Sequence, residues 1–346
     1  MTTAPQPAPG QPDGDTRWRT SASRRVHLGP LARAVGTRLA LAACTLALLA
    51  VCMFLGGQLL PGDIGRAMLG PFADAQAVAA LNHRLGVDQP LITQFLRWAG
   101  GLLRGDLGRS YSYDAPVASL LWPALCNSLK LAGLAFAIVV PLGIAGGVVA
   151  SLYPRRWPDR LITVFGLAFA VVPEFVSAIV LILVFAIGLR VLPVSASFSG
   201  DAGFGTQFRH LLLPALPLVF VLFAYLARIT RTGMREALDA DFTRTAVLKG
   251  LPLRTVLWRH VLRNALAPAL AVAATQLGYM VGGLVVVETI FHYRGIGSLV
   301  FEAARAKDFP MLEAGVLTIG VIYVLAGLLA DALQAWLDPR QRKAGR

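Results

Sequence analysis

Six apolar runs in this chain are each long enough to cross a hydrocarbon core of about 30 Å at about 1.5 Å of helix rise per residue. They are Leu39 to Leu60, Ser128 to Leu152, Leu161 to Leu189, Leu211 to Ala227, Ala265 to Thr289 and Met311 to Ala335. The 346 residues are 56 % hydrophobic and 15 % charged, against about 45–50 % and about 25 % in soluble domains. The expected fold is an all-α membrane protein of six transmembrane helices.

The net charge of +13 becomes informative once it is distributed over the connections. With six spans, residues 1–38, 153–160, 228–264 and the C-terminal tail 337–346 share one side, with 21 Lys or Arg against 7 acids. The other side balances when Glu288 and Glu313, at the outer span ends, are counted with its loops. Basic loops stay in the cytoplasm, which predicts both termini inside. A basic face also suits nucleic acid, but no groove-reading or aromatic-interleaved motif accompanies it, so no nucleic-acid partner is expected.

Residues 1–38 are rich in Pro, Ala, Gly and Arg without apolar periodicity and read as a disordered tail. The "LAAC" at Leu41 to Cys44 resembles a lipoprotein cleavage box, but its apolar run lies downstream instead of upstream. The first span, residues 39–60, is therefore expected to be an uncleaved anchor. Cys44, Cys52 and Cys126 lack metal-ligand spacing and are expected to be small buried hydrophobes. Residues 61–125 form the sizeable outer segment, with two short amphipathic helices broken at Gly86 and near Pro90 and a turn at Gly105 to Gly108. Within it Trp98 and Trp122 suit either interfacial anchoring or packing. The rest of the core, residues 126–336, contains the remaining five spans, with Pro141, Pro173, Pro214 and Pro217 in or beside them.

The inner loop 228–264 has a helical grammar. Asp241 is placed to cap a short helix running to Lys249, Gly250 can take the left-handed conformation that ends it, and Pro252 suits the start of the next. That second helix is expected to gather Leu253, Val256, Leu257 and Val261 on one face, with Arg259 and Arg263 on another. A loop that served only to set topology would need charge alone. A capped helix, a glycine hinge and a second amphipathic helix suggest a docking surface for a partner.

Among the carboxylates inside the spans, Glu174 and Glu288 stand out. Glu174, after Pro173, would cost several kcal/mol at mid-membrane unless paired, neutralised or wetted. It either faces a water-filled path, where it would meet a cationic group such as a peptide amino terminus, or it fixes helix packing. Glu288 lies near the outer end of the fifth span, where a snorkelling interfacial charge is the simplest reading. Asp331 reads as a local anchor. The five histidines are scattered, so no metal site is expected.

"RTAVLKG" (Arg244 to Gly250) and "HVLRNALAP" (His260 to Pro268) resemble the EAA loop of ATP-binding-cassette importer permeases, in its dipeptide and oligopeptide form. "LLPGD", "LGVDQPLITQFLRWAGGLLRGDLGRS", "VVVETIF" and "DALQAWLDPR" resemble segments of that branch in the same order, over roughly residues 35–342. The general loop opens with Glu-Ala-Ala where this chain has Arg244, Thr245 and Ala246. It ends in Ile-x-Leu-Pro where this chain has His260 to Arg263, and the peptide branch shares both departures.

The resemblance implies a multi-pass permease subunit of the bacterial inner membrane. Its implied partners are a second permease subunit, two ATP-binding subunits that hold ATP and magnesium, and an extracytoplasmic solute-binding protein. Arg244, Thr245, Ala246, Lys249, Gly250 and Leu251 would dock the ATPase, with Ala246 keeping the docking face small and Gly250 allowing close approach. Glu288 would lie near an outer gate. The chain has no GxxxxGK[ST] phosphate loop and no catalytic constellation, so neither catalytic residues nor a cofactor of its own are expected. The alternatives are a nickel-chelate or other small-solute importer permease, or a secondary transporter. Against the last stands the absence of a detectable inverted repeat.

Overall fold

The computed structural model describes residues 28–59, 64–70, 72–198 and 202–337. Among them it contains helices and no strand. An anchor helix, α1 (Leu28–Leu59), is followed by three short helices, α2 (Ile64–Leu69), α3 (Ala75–Leu85) and α4 (Leu91–Leu103). Next come α5 (Val117–Leu152), α6 (Trp157–Val171) and α7 (Glu174–Leu181), the last continued by a π-helical stretch, Ile182–Gly188. Then follow α8 (Phe204–Asp239), α9 (Asp241–Leu248) and α10 (Leu253–Thr255), which passes through a second π-helical stretch, Val256–Val261, into α11 (Leu262–Ile290). The last two are α12 (Ile296–Ala306) and α13 (Phe309–Leu337). Residues 1–41 and 42–346 form separate units, and the helix bundle belongs to the second.

Among the described residues four unbroken helices are long and apolar enough to cross a membrane: Gly36–Gly57, Val117–Leu152, Phe204–Asp239 and Phe309–Ala335. Two bent pairs bring the number to six if each is one span. They are Trp157–Val171 with Glu174–Gly188, bent by 106°, and Leu253–Gly278 with Met280–Ile290, bent by 52°. The sharper bend departs from the continuous run expected at Leu161 to Leu189. Pro173 has no N–H to donate, and its ring forces the preceding Val172 out of the helical region, to ψ 124°. Pro141, Pro214 and Pro217, by contrast, stay inside intact helices.

At the centre α5 packs on α8. Gly143 and Gly147, one helical turn apart, let the two backbones approach: a β-carbon at Gly147 would lie 2.6 Å from the Ala227 carbonyl oxygen. Around this pair Leu131, Val139, Leu213, Leu222, Leu284 and Phe291 form the main buried cluster. A second cluster holds Val117 and Leu121 against α12 and α13 through Ile296, Ala303 and Met311. A third closes the opposite end around Met234, Ala237, Ala246, Val256, Val261 and Ala265. Apolar side chains left exposed along the flanks, such as Leu55, Leu129, Val164 and Leu325, suit hydrocarbon contact.

Several expectations change. Residues 28–38 are helical, because adding turns to an existing helix avoids the cost of nucleation; residues 1–27 lie outside the described residues, as do 338–346. The second span starts at Val117 instead of Ser128, and the fourth extends from Phe204 to Asp239 past its apolar stretch. Cys44 and Cys52 are exposed and Cys126 partly so, since a thiol facing hydrocarbon has no need of the chain's own interior. The breaks at Gly86 (φ 72°) and Pro90 fall where expected, and Gly105 and Gly108 take positive φ. Trp98 packs with Phe54 and Phe95, whereas Trp122 points outward.

Candidate docking helix and buried carboxylates

Helix α9 leaves the end of α8 through Ala240, whose extended backbone (φ −72°, ψ 150°) makes the turn. Asp241 is the first helical residue, not the cap. Its side chain is fully exposed, and its charge instead favours the helix N-terminus. Thr243 pins the helix down: its Oγ1 donates to the Ala237 carbonyl at 2.6 Å. Ala246, 5 % exposed, faces the same way into the third cluster. This corrects its placement on the docking face. A small residue is required here because α9 lies close on its own bundle.

The outward face of α9 consists of Phe242, Arg244, Thr245, Val247, Leu248 and Lys249. Leu248 is 88 % exposed, and Leu253, just beyond the hinge, is 67 % exposed. Arg244 lies 3.9 Å from Asp241 with both side chains in solvent, a pair worth little. Gly250 ends the helix at φ +75° with open space around it. Its N–H donates to the Val247 carbonyl, and that of Leu251 to the Ala246 carbonyl. Of the four apolar residues expected on one face, Val256 and Val261 are buried in the third cluster, whereas Leu257 is half-buried and Leu253 exposed; the stretch that carries Val256 to Val261 is π-helical, with a wider turn than the α-helical spacing assumed.

Glu288 is 0 % exposed and does not snorkel. Ser128 of α5 donates its hydroxyl to Glu288 Oε1, and the Ser298 amide donates to Oε2 at 3.0 Å. The Ser128 oxygen in turn accepts the Ile296 amide at 2.8 Å. The carboxylate therefore caps the N-terminus of α12, where negative charge is favoured, and ties α5, α11 and α12 together. Gly295 is needed for close approach: a β-carbon there would fall 2.0 Å from Glu288 Oε1.

Glu174 opens α7 directly after the 106° bend. It is half-buried, with its carboxylate oxygens 3.7 and 3.8 Å from where a β-carbon of Gly283 on α11 would stand. Among the described residues the carboxylate has no hydrogen-bond or ionic partner; Ser177 bonds the Glu174 carbonyl instead. The structure thus separates two acids that looked alike in sequence, one fully bonded and one uncommitted.

The family of binding-protein-dependent transport system inner membrane components matches residues 141–343, more than half of the chain. The chain belongs to this permease family. The family's N-terminal membrane component matches residues 31–132. A probable peptide ABC transporter permease protein of Sinorhizobium fredii (strain NBRC 101917 / NGR234), y4tP, is 37 % identical over 305 residues, covering 88 % of this permease and 97 % of that protein. The glutathione transport system permease protein GsiC of Escherichia coli (strain K12) is 35 % identical over 301 residues, or 86 % and 95 % of the two chains. A crystal structure of an amino acid ABC transporter aligns with 64 % of this chain and 94 % of its own at 17 % identity and a TM-score of 0.47. The permease is a membrane-embedded transport subunit of a binding-protein-dependent transport system.

Three further carboxylates have structural roles that the sequence alone did not assign. Asp308, 0 % exposed, accepts the Ser110 hydroxyl and the amides of Tyr111 and Ser112, so it binds the loop between α4 and α5 to the start of α13. Beside it, burial and the nearby Glu313 and Asp308 carboxylates push the Tyr111 phenol up to about 12, keeping it protonated. Glu313 on α13 is buried against Gly57 of α1. Asp159 on α6 pairs bidentately with Arg231 of α8, Nε to Oδ1 at 2.7 Å and Nη2 to Oδ2 at 2.8 Å. The available signal for Asp308 was its position just before Phe309-Pro310, where a helix starts and a cap is needed.

Proposed function

We propose that the permease forms one half of the translocation path of an ATP-driven importer for peptides or similar small solutes, and that α9 is the lever through which an ATPase subunit moves it. The observation that carries this reading is the division of α9 into two faces. Thr243 and Ala246 fix one face to the bundle, while Phe242, Val247 and Leu248 leave an apolar surface uncovered next to a glycine hinge. An exposed apolar patch with a fixed foundation is what a docking partner requires. Arg244, Thr245, Lys249, Gly250 and Leu251 border that patch and complete the contact.

In this reading each bent pair is one span, giving six. The excess of basic residues on the α9 side supports a cytoplasmic position for both termini and α9, in a bacterial inner membrane. A second permease subunit completes the path, two ATP-binding subunits bind ATP and magnesium, and an extracytoplasmic binding protein delivers the solute. The names of the peptide and glutathione relatives support a peptide-class cargo. Glu174, uncommitted at the elbow beside Gly283, faces the path and meets the cationic amino terminus of the solute. Glu288 positions the outer ends of the helices and does not touch cargo.

Leu248→Asp tests the lever. It places a charge on the docking patch without disturbing the buried face. Uptake by the assembled importer is expected to be lost while the permease still inserts and pairs. Uptake at the wild-type rate would refute the assignment.

A further inference from the structure

Between α6 and α8 lies a cleft of ≈ 320 Å³, lined among others by Thr163, Gly166 and Leu167 on one wall and Ala227, Arg228 and Arg231 on the other. Its size falls at the lower end of the about 300–1,000 Å³ typical of small-ligand sites. Gly166 sets the floor: a β-carbon there would already touch Ala224 at 3.4 Å.

The charge in this cleft is one-sided. Arg231 turns one edge to Asp159, leaving Nη1 unbonded to that carboxylate. Asp159 also accepts the Arg155 amide at 2.9 Å and the Thr163 hydroxyl at 3.4 Å, so it has no capacity to neutralise a second cation. Arg228 is exposed and has no ionic or hydrogen-bond partner among the described residues. Arg155, Arg156 and Arg160, all exposed, flank the same end of α6. Above this basic end α6 turns Leu161, Val164 and Phe165 outward, each at least half exposed. A basic notch therefore continues into an apolar flank.

We propose that the cleft binds the phosphate of an anionic phospholipid, with the acyl chains lying along the exposed flank of α6. Arg228 and the free edge of Arg231 bind the phosphodiester, whose oxygens match guanidinium forks. A soluble phosphate would use the same two groups, but it would leave the apolar flank uncovered, which is why the occupant is a lipid. Basic clefts between spans at the cytoplasmic surface are suited to such headgroups.

The test uses the assembled importer in nanodiscs of phosphatidylcholine containing a minority of phosphatidylglycerol, with the retained lipid counted by native mass spectrometry. Phosphatidylglycerol should be held in excess of its bulk share. Arg228→Gln should lower that excess about fivefold, the factor expected of one basic residue at an anionic surface, and excess inorganic phosphate should displace none of it. Retention at the bulk ratio, an unchanged excess in Arg228→Gln, or displacement by inorganic phosphate would each overturn the proposal. So would a photo-crosslinker at Leu167 that captures the second permease subunit in place of lipid. Uptake is not the readout, so the outcome is independent of the α9 assignment.

Discussion

Glu288 and Glu174 are the same residue type in the same membrane, and their neighbours give them opposite roles. Glu288 accepts from a hydroxyl and a backbone amide and closes a three-helix junction. Glu174 has no bonding partner among the described residues and borders a glycine. Glu288→Ala strands a buried amide and hydroxyl, each costing about 1–3 kcal/mol, so the solubilised assembly should melt at a lower temperature. Glu174→Gln should leave melting unchanged and alter uptake or cargo preference. Equal melting of the two variants would contradict this division. The sequence marks both residues as intramembrane acids, but it does not reveal Ser128, which lies 160 residues from Glu288, or the Ser298 amide. Asp308 and Asp159 escaped notice for the same reason: a carboxylate near a span end looks solvated until the distant group that it bonds is known.

At the scale of elements, the features legible in the sequence are those set by local backbone chemistry. Gly86, Pro90 and the end of α9 at Gly250 follow from single-residue φ preferences. The inward turn of Ala246 and the exposure of Leu253 depend on which way α9 and the π-helical turn rest on α8, and no local preference encodes that. The extended α8 and the separate helix α12 also depend on tertiary contacts, including the carboxylate that caps α12. Gly250 offers a sharp test, because its surroundings are open and only its φ of +75° constrains it. Valine there should strain the hinge by about 1–2 kcal/mol and reduce uptake about tenfold. Asparagine, which tolerates the left-handed region, should retain most uptake; equal loss in both variants would instead mean that the partner's backbone touches Gly250 directly.

At the scale of the whole molecule, the permease has two differently built ends. One is held by hydrogen-bonded carboxylates, Glu288 and Asp308, that fasten α5, α11, α12, α13 and the loop between α4 and α5. The other is a small apolar cluster under α9, with the Asp159–Arg231 pair nearby. The composition and the apolar runs made the membrane class readable, and four of the six runs are unbroken helices among the described residues, while the other two correspond to bent pairs. Neither composition nor runs revealed the 106° elbow's depth of turn or the partner of any buried charge. If α9 is the lever, motion enters at the second end and is passed to a bundle whose far end is clasped.

Contact at α9 is the central claim, and the labelling rate of Leu248→Cys by a water-soluble maleimide measures it most directly. With the ATPase subunits assembled, that cysteine should be protected in every nucleotide state, and it should react freely on the permease alone. An identical labelling rate with and without the ATPase subunits would contradict the lever.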